Sequence, residues 1–552
     1  MEKKWWQKEV VYQIYPKSFY DSNNDGIGDI PGIIEKLDYL HELGVTMLWI
    51  CPFFKSPMDD NGYDISDYYE LAPEFGTKED LDELINQAKT LGIKIIMDLV
   101  LNHTSDEHSW FQAAIKDSNS KYHDFYIFKD GKEPINNWRS VFGGSVWEKL
   151  ENRDEMYLHC FGKKQADLNW ENPELREALY EMINYWLARG IAGFRVDAIT
   201  FIKKDLSFVS CEPDGSDGLV KCTKTCRNQP GIGIFLKELN ERCFKKYDCV
   251  TVAEAAGVNY NELEEFIGEK GHFSMIFDFK YADLDIASGS EWFKRLDWTV
   301  KELNDKIMES QIEMQKHGWS ANFIENHDQP RATTKYLKAA ANNLDAVKML
   351  GAMYFFLRGT PFIYQGQELG MTNFEWGSIE DFNDISSIDQ YYRSMEEGLT
   401  KKEALRVINL RSRDNSRTPF PWSNEAFGGF SKVKPWIKMN DNYQIINVKK
   451  QLNDNDSVFS FYQEMIKLRQ ESIYSDLLIY GDIEPLEAPE SVIAYRRKLG
   501  IQEVSCYYNF SDQKTVIKIS KQGIYPILNN LKEIEIKNDN LILKAYQALL
   551  LQ

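Results

Sequence analysis

The chain has 552 residues, a formal net charge of −20, and 14 Trp, 29 Tyr and 31 Phe. This length predicts about two to four domains. The negative charge disfavours nucleic acid and anionic membranes as partners, and no stretch approaches the roughly 20 apolar residues that span a bilayer. The first nine residues show no apolar run after their lysines, so we expect a cytoplasmic protein without a secretory signal.

Short apolar runs alternate with helical segments along most of the chain. Eight runs are typical of buried strands: Val10–Pro16, Thr46–Ile50, Ile93–Val100, Gly193–Ala198, Val250–Glu254, Phe273–Phe277, Ser320–Ile324 and Pro361–Tyr364. Segments such as Ile33–Leu43 and Lys78–Leu91 lie between them, which predicts a parallel sheet with crossover helices. The pattern fits an α/β fold, a (β/α)8 TIM barrel. A doubly wound open sheet is the alternative, but no glycine-rich phosphate loop follows the first strand.

The alternation stops in three places. Residues 104–170 are dense in aromatic and polar side chains and predict an inserted domain between two parts of the barrel, 1–103 and 171–478. A second elaborated loop lies at about 370–450. From 479 to 552, short alternating runs predict a small antiparallel β-domain.

The loop after the first strand carries oxygen-bearing side chains at alternate positions, with glycines that allow a tight curl: Asp21, Asn23, Asp25 and Asp29. Calcium loops use this spacing, so we favour a Ca²⁺ site over a turn rich in Asp and Asn. Four of the eight cysteines, Cys211, Cys222, Cys226 and Cys243, lie fairly close in sequence. No second close pair and no nearby histidine accompany them, which favours reduced thiols over a zinc site.

Catalytic side chains of a (β/α)8 barrel come from the C-terminal ends of its strands. Here those ends carry Asp98, Asn102, His103, Asp197, Glu254, His327 and Asp328. Arg195 shares a strand face with Asp197 and would keep that carboxylate ionised. Apolar neighbours would raise the pKa of Glu254 and keep it protonated. One ionised and one protonated carboxyl group are what glycoside hydrolysis needs.

Four blocks of sequence resemble the four motifs of the α-amylase superfamily of glycoside hydrolases: Asp98–His103, Gly193–Asp197, Ala253–Glu254 and Glu325–Asp328. The opening Val11–Phe19 and the later Arg413–Pro419 resemble its oligo-1,6-glucosidase and α-glucosidase branch. The resemblance covers nearly the whole chain, in order. It implies a TIM barrel, an inserted domain B and a C-terminal antiparallel β-sandwich.

The resemblance also implies an activity and its residues. The enzyme would be an exo-acting, retaining α-glucosidase that releases glucose from short α-glucosides through a covalent glucosyl-enzyme intermediate. Asp197 would be the nucleophile, Glu254 the acid/base and Asp328 the stabiliser of the transition state. Substrate-binding residues would be Asp60, Tyr63, His103, Arg195, Ala198, His327 and Arg413, of which Asp60, Tyr63 and Arg413 close the pocket. A structural Ca²⁺ would be held by Asp21, Asn23, Asp25, Ile27 and Asp29.

Ala198 follows the nucleophile directly. In the resembling branch, valine at this position accompanies a preference for α-1,6 bonds, whereas alanine or threonine accompanies acceptance of α-1,4 bonds. We therefore expect cleavage of α-1,4 and α-1,6 linkages, with sucrose as a further candidate. The branch usually has glutamate where this chain has Gln367.

Two other functions remain open at this stage. A trehalose-6-phosphate-type hydrolase would need a basic aglycone site, for which Lys203–Lys204 is a weak candidate. A catalytically silent binding subunit is disfavoured because all three carboxylates are kept. Arg295–Asp297 is followed by Trp298 and Thr299, unlike the sucrose-isomerising relatives, and the segment Lys203–Asn228 matches nothing familiar.

Overall fold

The computed structural model describes residues 3–287, 290–519 and 525–552, so positions 1–2, 288–289 and 520–524 of the predicted domains lie outside it. Eight parallel strands close a barrel in which each strand pairs with the next and the last pairs with the first. They are β1 (Val11–Ile14), β2 (Met47–Ile50), β3 (Lys94–Val100), β4 (Gly193–Asp197), β5 (Val250–Ala253), β6 (Met275–Phe277), β7 (Ser320–Asn322) and β8 (Thr360–Tyr364). The predicted TIM barrel is confirmed, and each predicted strand overlaps an observed one.

Helices surround the barrel and extend its loops: Ile30–Glu35, Leu37–Leu43, Lys78–Thr90, Ser109–Lys116, Pro173–Ala188, Ile232–Arg242, Leu263–Phe266, Val300–His317, Ala332–Leu337, Leu344–Phe355, Ile385–Glu396, Lys401–Arg411, Asp414–Arg417, Val448–Gln451, Val458–Glu471 and Ser475–Tyr480. The predicted helix Ile33–Leu43 is two helices, because the backbone of Lys36 leaves helical geometry. Helix Lys78–Thr90 begins at a capping box formed by Thr77 and Asp80.

The inserted segment contributes to a second, smaller core, separate from that of the barrel. Its short strands are His103–Ser105 with Gln165–Asp167, and Phe128–Asp130, Glu155–Leu158 and Trp147–Lys149 in one sheet. Trp138–Arg139 pairs with Val220–Lys221, which lies after β4. One buried cluster therefore holds Trp138 and Cys160 together with Val220, Cys222 and Cys226. Two stretches of chain, one before β4 and one after it, therefore build a single apolar core.

The C-terminal part consists of two antiparallel sheets that enclose a separate apolar cluster. One sheet has five strands, Asp482–Pro485, Val492–Leu499, Gln502–Asn509, Ala548–Leu551 and Pro526–Asn529; the other has three, Thr515–Lys518, Asn540–Leu543 and Glu535–Lys537. The predicted β-sandwich is confirmed.

A further antiparallel pair, in the loop after β2, joins Phe54–Lys55 with Asp67–Leu71. Across the described ranges, no helix combines the length and apolar character needed to cross a membrane.

Candidate active site

The site lies at the C-terminal mouth of the barrel, where β3, β4 and β5 end side by side. The register places Arg195 of β4 between Asp98 of β3 and Val252 of β5. The buried Arg195 donates to Asp98 Oδ1 at 2.5 Å, to Asp197 Oδ1 at 2.8 Å, and also to Glu254 Oε2. A single guanidinium thus serves three carboxylates. Sequence reasoning expected the pair Arg195–Asp197 but not this sharing.

The pKa of Asp197, the predicted nucleophile, is affected by burial and by the other two carboxyl groups that contact Arg195. Burial raises the pKa of Asp197 well above its usual range, and Glu254 and Asp98 raise it further, whereas Arg195 opposes them. Arg195 therefore offsets only part of a rise in the pKa of Asp197 that the sequence did not predict. Its contacts with both carboxyl groups hold Asp197 and Glu254 close together.

Behind the carboxylates, a buried chain of hydrogen bonds fixes His327. The Gln13 amide nitrogen can only donate, so His327 Nδ1, at 2.8 Å, accepts. His327 Nε2 then donates to Tyr63 Oη at 2.6 Å, and Tyr63 donates to Asp98 Oδ2 at 3.0 Å. The Tyr63 and His327 rings are stacked, with centroids 5.4 Å apart. Burial lowers the pKa of His327 to about 3, so its imidazole is neutral at pH 7.

The deep end of the pocket is closed by ion pairs between loops after β2, β7 and β8. Arg413 lies 3.0 Å from Asp60, 3.4 Å from Asp328 and 2.7 Å from Asp384. Arg417 lies 2.8 Å from Asp328. Burial raises the pKa of Asp328, but His327, Arg413 and Arg417 outweigh it and lower that pKa far below its usual range. Asp328 is therefore ionised at neutral pH.

The structure brings most of the predicted site residues together at the mouth of the barrel. Eight predicted residues line one cavity of about 330 Å³: Asp60, Tyr63, His103, Asp197, Ala198, Glu254, Asp328 and Arg413. Arg195 and His327 support it through their contacts with Asp98 and Tyr63. His103 lies 3.1 Å from Gln165 Nε2, and burial lowers the pKa of its imidazole to about 4.

Sequence reasoning missed several residues that hold these groups. Gln165 donates to Asp60 Oδ2 at 3.1 Å, and Asp384 and Arg417 complete the ion-pair cluster around Arg413 and Asp328. Asp98 was named as a strand-end residue without a role. Its position on the motif strand next to β4 was the available signal, whereas nothing in the sequence pointed to Gln165 or Asp384.

Ala198 has an unusual backbone next to the nucleophile. Its φ of 40° and ψ of 36° lie in the left-handed region, which non-glycine residues rarely adopt. Its amide donates to Glu254 Oε2 at 3.3 Å. This turn after β4 therefore ties the nucleophile's neighbour to the acid/base candidate and stores local strain at the site.

The substitution at Gln367 lies away from the cavity. Its side chain donates to Tyr462 Oη at 3.0 Å in a buried network. The carboxylate that is kept, Glu368, accepts from Tyr12 and Tyr39, and burial raises its pKa to about 7. The departure from the family pattern thus lies in a buried hydrogen-bond network and not in the cavity lining.

The lysines considered as a phosphate site are already used. Lys204 is buried, lies 3.0 Å from Asp167 and donates to Asn102 Oδ1 at 2.7 Å. Lys203 pairs with Glu171. Neither lysine lines the catalytic cavity, so this candidate was wrong. All eight cysteines are free thiols, and Cys222 and Cys226 lie in the apolar cluster that the inserted segment shares with the chain after β4.

The predicted calcium loop is satisfied by its own backbone. Asp21 accepts from the amides of Asn24 and Gly26 at 2.6 and 2.8 Å, and Asp29 accepts from Gly32 at 2.6 Å and caps the following helix. Within the ranges that the structure describes, no three His, Cys, Asp or Glu side chains are grouped to hold a metal. The oxygen donors, including the Ile27 carbonyl, are chemically suited to Ca²⁺, and calcium binding stays a prediction.

Comparison with known proteins agrees with this geometry. The family model "Alpha amylase, catalytic domain" matches residues 13–481. The chain is 43% identical to an oligo-1,6-glucosidase of Parageobacillus thermoglucosidasius, covering 98% of this chain and 95% of that protein. It is 46% identical to a probable oligo-1,6-glucosidase of Bacillus subtilis, covering 90% and 89%. The crystal structure of Bacillus licheniformis trehalose-6-phosphate hydrolase superposes with a TM-score of 0.91 at 39% identity, covering 100% and 99%.

Proposed function

This chain belongs to the α-amylase family of glycoside hydrolases, and we propose that it is an exo-acting, retaining α-glucosidase acting on short α-glucosides. The observation that carries the proposal is the cavity at the barrel mouth. Asp197, Glu254 and Asp328 converge in it, and the Asp60–Arg413 ion pair lies at its deep end. A pocket closed in this way admits the non-reducing end of a chain and excludes its interior, which supports an exo mode of attack.

The side chains support a double displacement. Asp197 attacks the anomeric carbon while Glu254 protonates the leaving oxygen; Glu254 then takes a proton from the water that opens the glucosyl-enzyme. Arg195 touches both carboxyl groups, so it holds the nucleophile and the acid/base in fixed positions relative to each other. Asp328, held ionised by Arg413 and Arg417, is suited to stabilise the positive charge of the oxocarbenium-like transition state.

The bond that is cleaved depends on the rim beside Ala198. The methyl group of Ala198 leaves room where an α-1,4-linked aglycone must turn, which supports cleavage of maltose-type bonds alongside isomaltose-type bonds. We include sucrose as a further candidate substrate. The relatives named above are called oligo-1,6-glucosidases, so isomaltose is the first substrate to test.

The structure also bears on the protein's surroundings. We place the enzyme in the cytoplasm, because eight free thiols, six of them buried, suit a reducing compartment. We propose one structural Ca²⁺ in the loop of residues 21–29, away from the catalytic cavity. Partners other than the oligosaccharide substrate are not required by the proposed reaction.

The decisive experiment measures glucose release from maltose, isomaltose, sucrose and trehalose 6-phosphate, and the anomeric configuration of the first product. Release of α-glucose from maltose or isomaltose is expected. Initial formation of β-glucose would mean inversion and would remove the nucleophile role of Asp197. Cleavage of trehalose 6-phosphate alone would replace the proposal with a phosphodisaccharide hydrolase.

A further inference from the structure

The segment Lys203–Asn228, which matched no familiar pattern, contributes residues to the wall of the catalytic cavity. Lys221, Thr223 and Arg227 line that cavity and also a second cavity of about 540 Å³ that adjoins it. The second cavity contains none of the residues expected to hold the terminal glucose. The shared wall therefore lies on the side that a leaving aglycone must occupy.

Arg227 is the unusual member of this wall. Among the residues that the structure describes, none accepts a hydrogen bond from its guanidinium and no carboxylate pairs with it. Burial lowers its pKa, and only the Cys222 thiol opposes this effect. The site residues Arg195 and Arg413 each contact three carboxylates. A half-buried cation without a counter-ion in the protein is available to pair with an anion that arrives from outside.

The backbone opposite is shaped for this side chain. Gly257 has a φ of 82°, and a Cβ there would collide with the Arg227 guanidinium. A glycine at 257 thus leaves the guanidinium room at the junction of the two cavities. Lys221, 2.9 Å from Glu291, brings a second cationic group to the same junction. Glu291 is already shared with Arg139 and Arg393. The junction is thus locally cationic in a chain whose net charge is −20.

We propose that Arg227, with Lys221 beside it, binds an anionic group on the aglycone, either a phosphate monoester or a carboxylate. The inference rests on the proposed function and extends it to the class of leaving group. A planar guanidinium binds both anions through paired hydrogen bonds, and such charge-assisted bonds are stronger than those to neutral hydroxyls. The substrate would then be an α-glucoside whose second unit is acidic, cleaved in preference to its neutral counterpart.

The test compares three product-like probes: glucose, glucose 6-phosphate and glucuronate. Each is titrated calorimetrically into the full-length enzyme and assayed as an inhibitor of p-nitrophenyl α-glucoside hydrolysis. We expect at least one acidic probe to bind about tenfold or more tightly than glucose. Arg227→Gln should remove most of that ratio, and Arg227→Lys, which keeps the charge, should retain part of it. The stronger of the two acidic probes identifies the anion.

The matched control is Lys224→Gln. Lys224 lies on the same segment, is exposed, pairs with Asp214 at 3.2 Å and lines neither cavity. It should leave the ratio of acidic to neutral binding unchanged. Equal binding of all three probes by the unmodified enzyme would overturn the inference, as would an unchanged ratio in Arg227→Gln. Hydrolysis of the chromogenic substrate tests the proposed function separately, because it needs no acidic aglycone.

Discussion

Replacing Asp197 by asparagine separates catalysis from stability at one atom. The amide cannot attack the anomeric carbon, so we expect turnover to fall at least about a thousandfold, equivalent to about 4 kcal/mol of transition-state stabilisation. The fold should not weaken. Burial, Glu254 and Asp98 raise the pKa of Asp197, so above the ordinary carboxyl pKa the ionised form costs the native state free energy. The neutral amide removes that cost.

The expected melting temperature of Asp197→Asn at pH 7 is therefore equal to or above that of the parent enzyme. Asp328→Asn is the matched comparison with the opposite sign. His327, Arg413 and Arg417 depress the pKa of Asp328, so its stabilising contribution is present above the unfolded pKa and is lost only as pH falls through the depressed value. At pH 7 that variant should melt lower, because Arg413 and Arg417 lose an anionic partner.

Calorimetric melting at pH 7 and steady-state hydrolysis of maltose measure both effects on the same samples. Near-normal turnover in Asp197→Asn would refute its role as nucleophile. A melting temperature several degrees below that of the parent would refute the electrostatic argument, because it would mean that the carboxylate stabilises the native state. Equal shifts in the two variants would show that the Asp197 and Asp328 environments do not differ as their contacts indicate.

Three further outcomes are expected. Glu254→Gln should lower maltose turnover at least about a thousandfold but cost less with p-nitrophenyl α-glucoside, whose leaving group needs little protonation; equal losses would contradict the acid role. Ala198→Val should lower the maltose-to-isomaltose ratio of kcat/KM by about 10- to 200-fold at most. An unchanged or rising ratio would show that Ala198 does not set the linkage preference. Chelation should lower the melting temperature more than the initial rate; if Asp21→Ala with Asp25→Ala alters neither metal content nor melting, the loop is only a turn.

The barrel could be predicted because its signals are local. Each strand is a short apolar run, and the alternation with helices determines the order of the sheet. The catalytic side chains followed because parallel strands bring their C-terminal ends to one mouth. Asp197, Glu254 and Asp328 were found in this way, although they are far apart in sequence.

The remaining parts of the site depend on contacts that no local pattern encodes. Asp384 lies in an irregular loop, and only the folded chain brings it within 2.7 Å of Arg413. The sharing of Arg195 among three carboxylates follows from strand register, which a single sequence does not give. The expectation for the pKa of Asp197 counted one cation and one anion, and it left out burial, which raises that pKa most, and the neighbouring Glu254 and Asp98.

The inserted domain does not have a core made of its own residues alone. Its apolar core joins Trp138 and Cys160, which precede β4, to Val220, Cys222 and Cys226, which follow it. An exchange of residues 104–170 between relatives would therefore leave half of a core facing a foreign surface. Grafts that carry residues 104–170 and 203–228 together keep both halves matched. Recombination among such enzymes should thus favour crossovers that transfer residues 104–170 and 203–228 as one unit. Substrate preference should then pass between enzymes with both stretches together and not with either one alone.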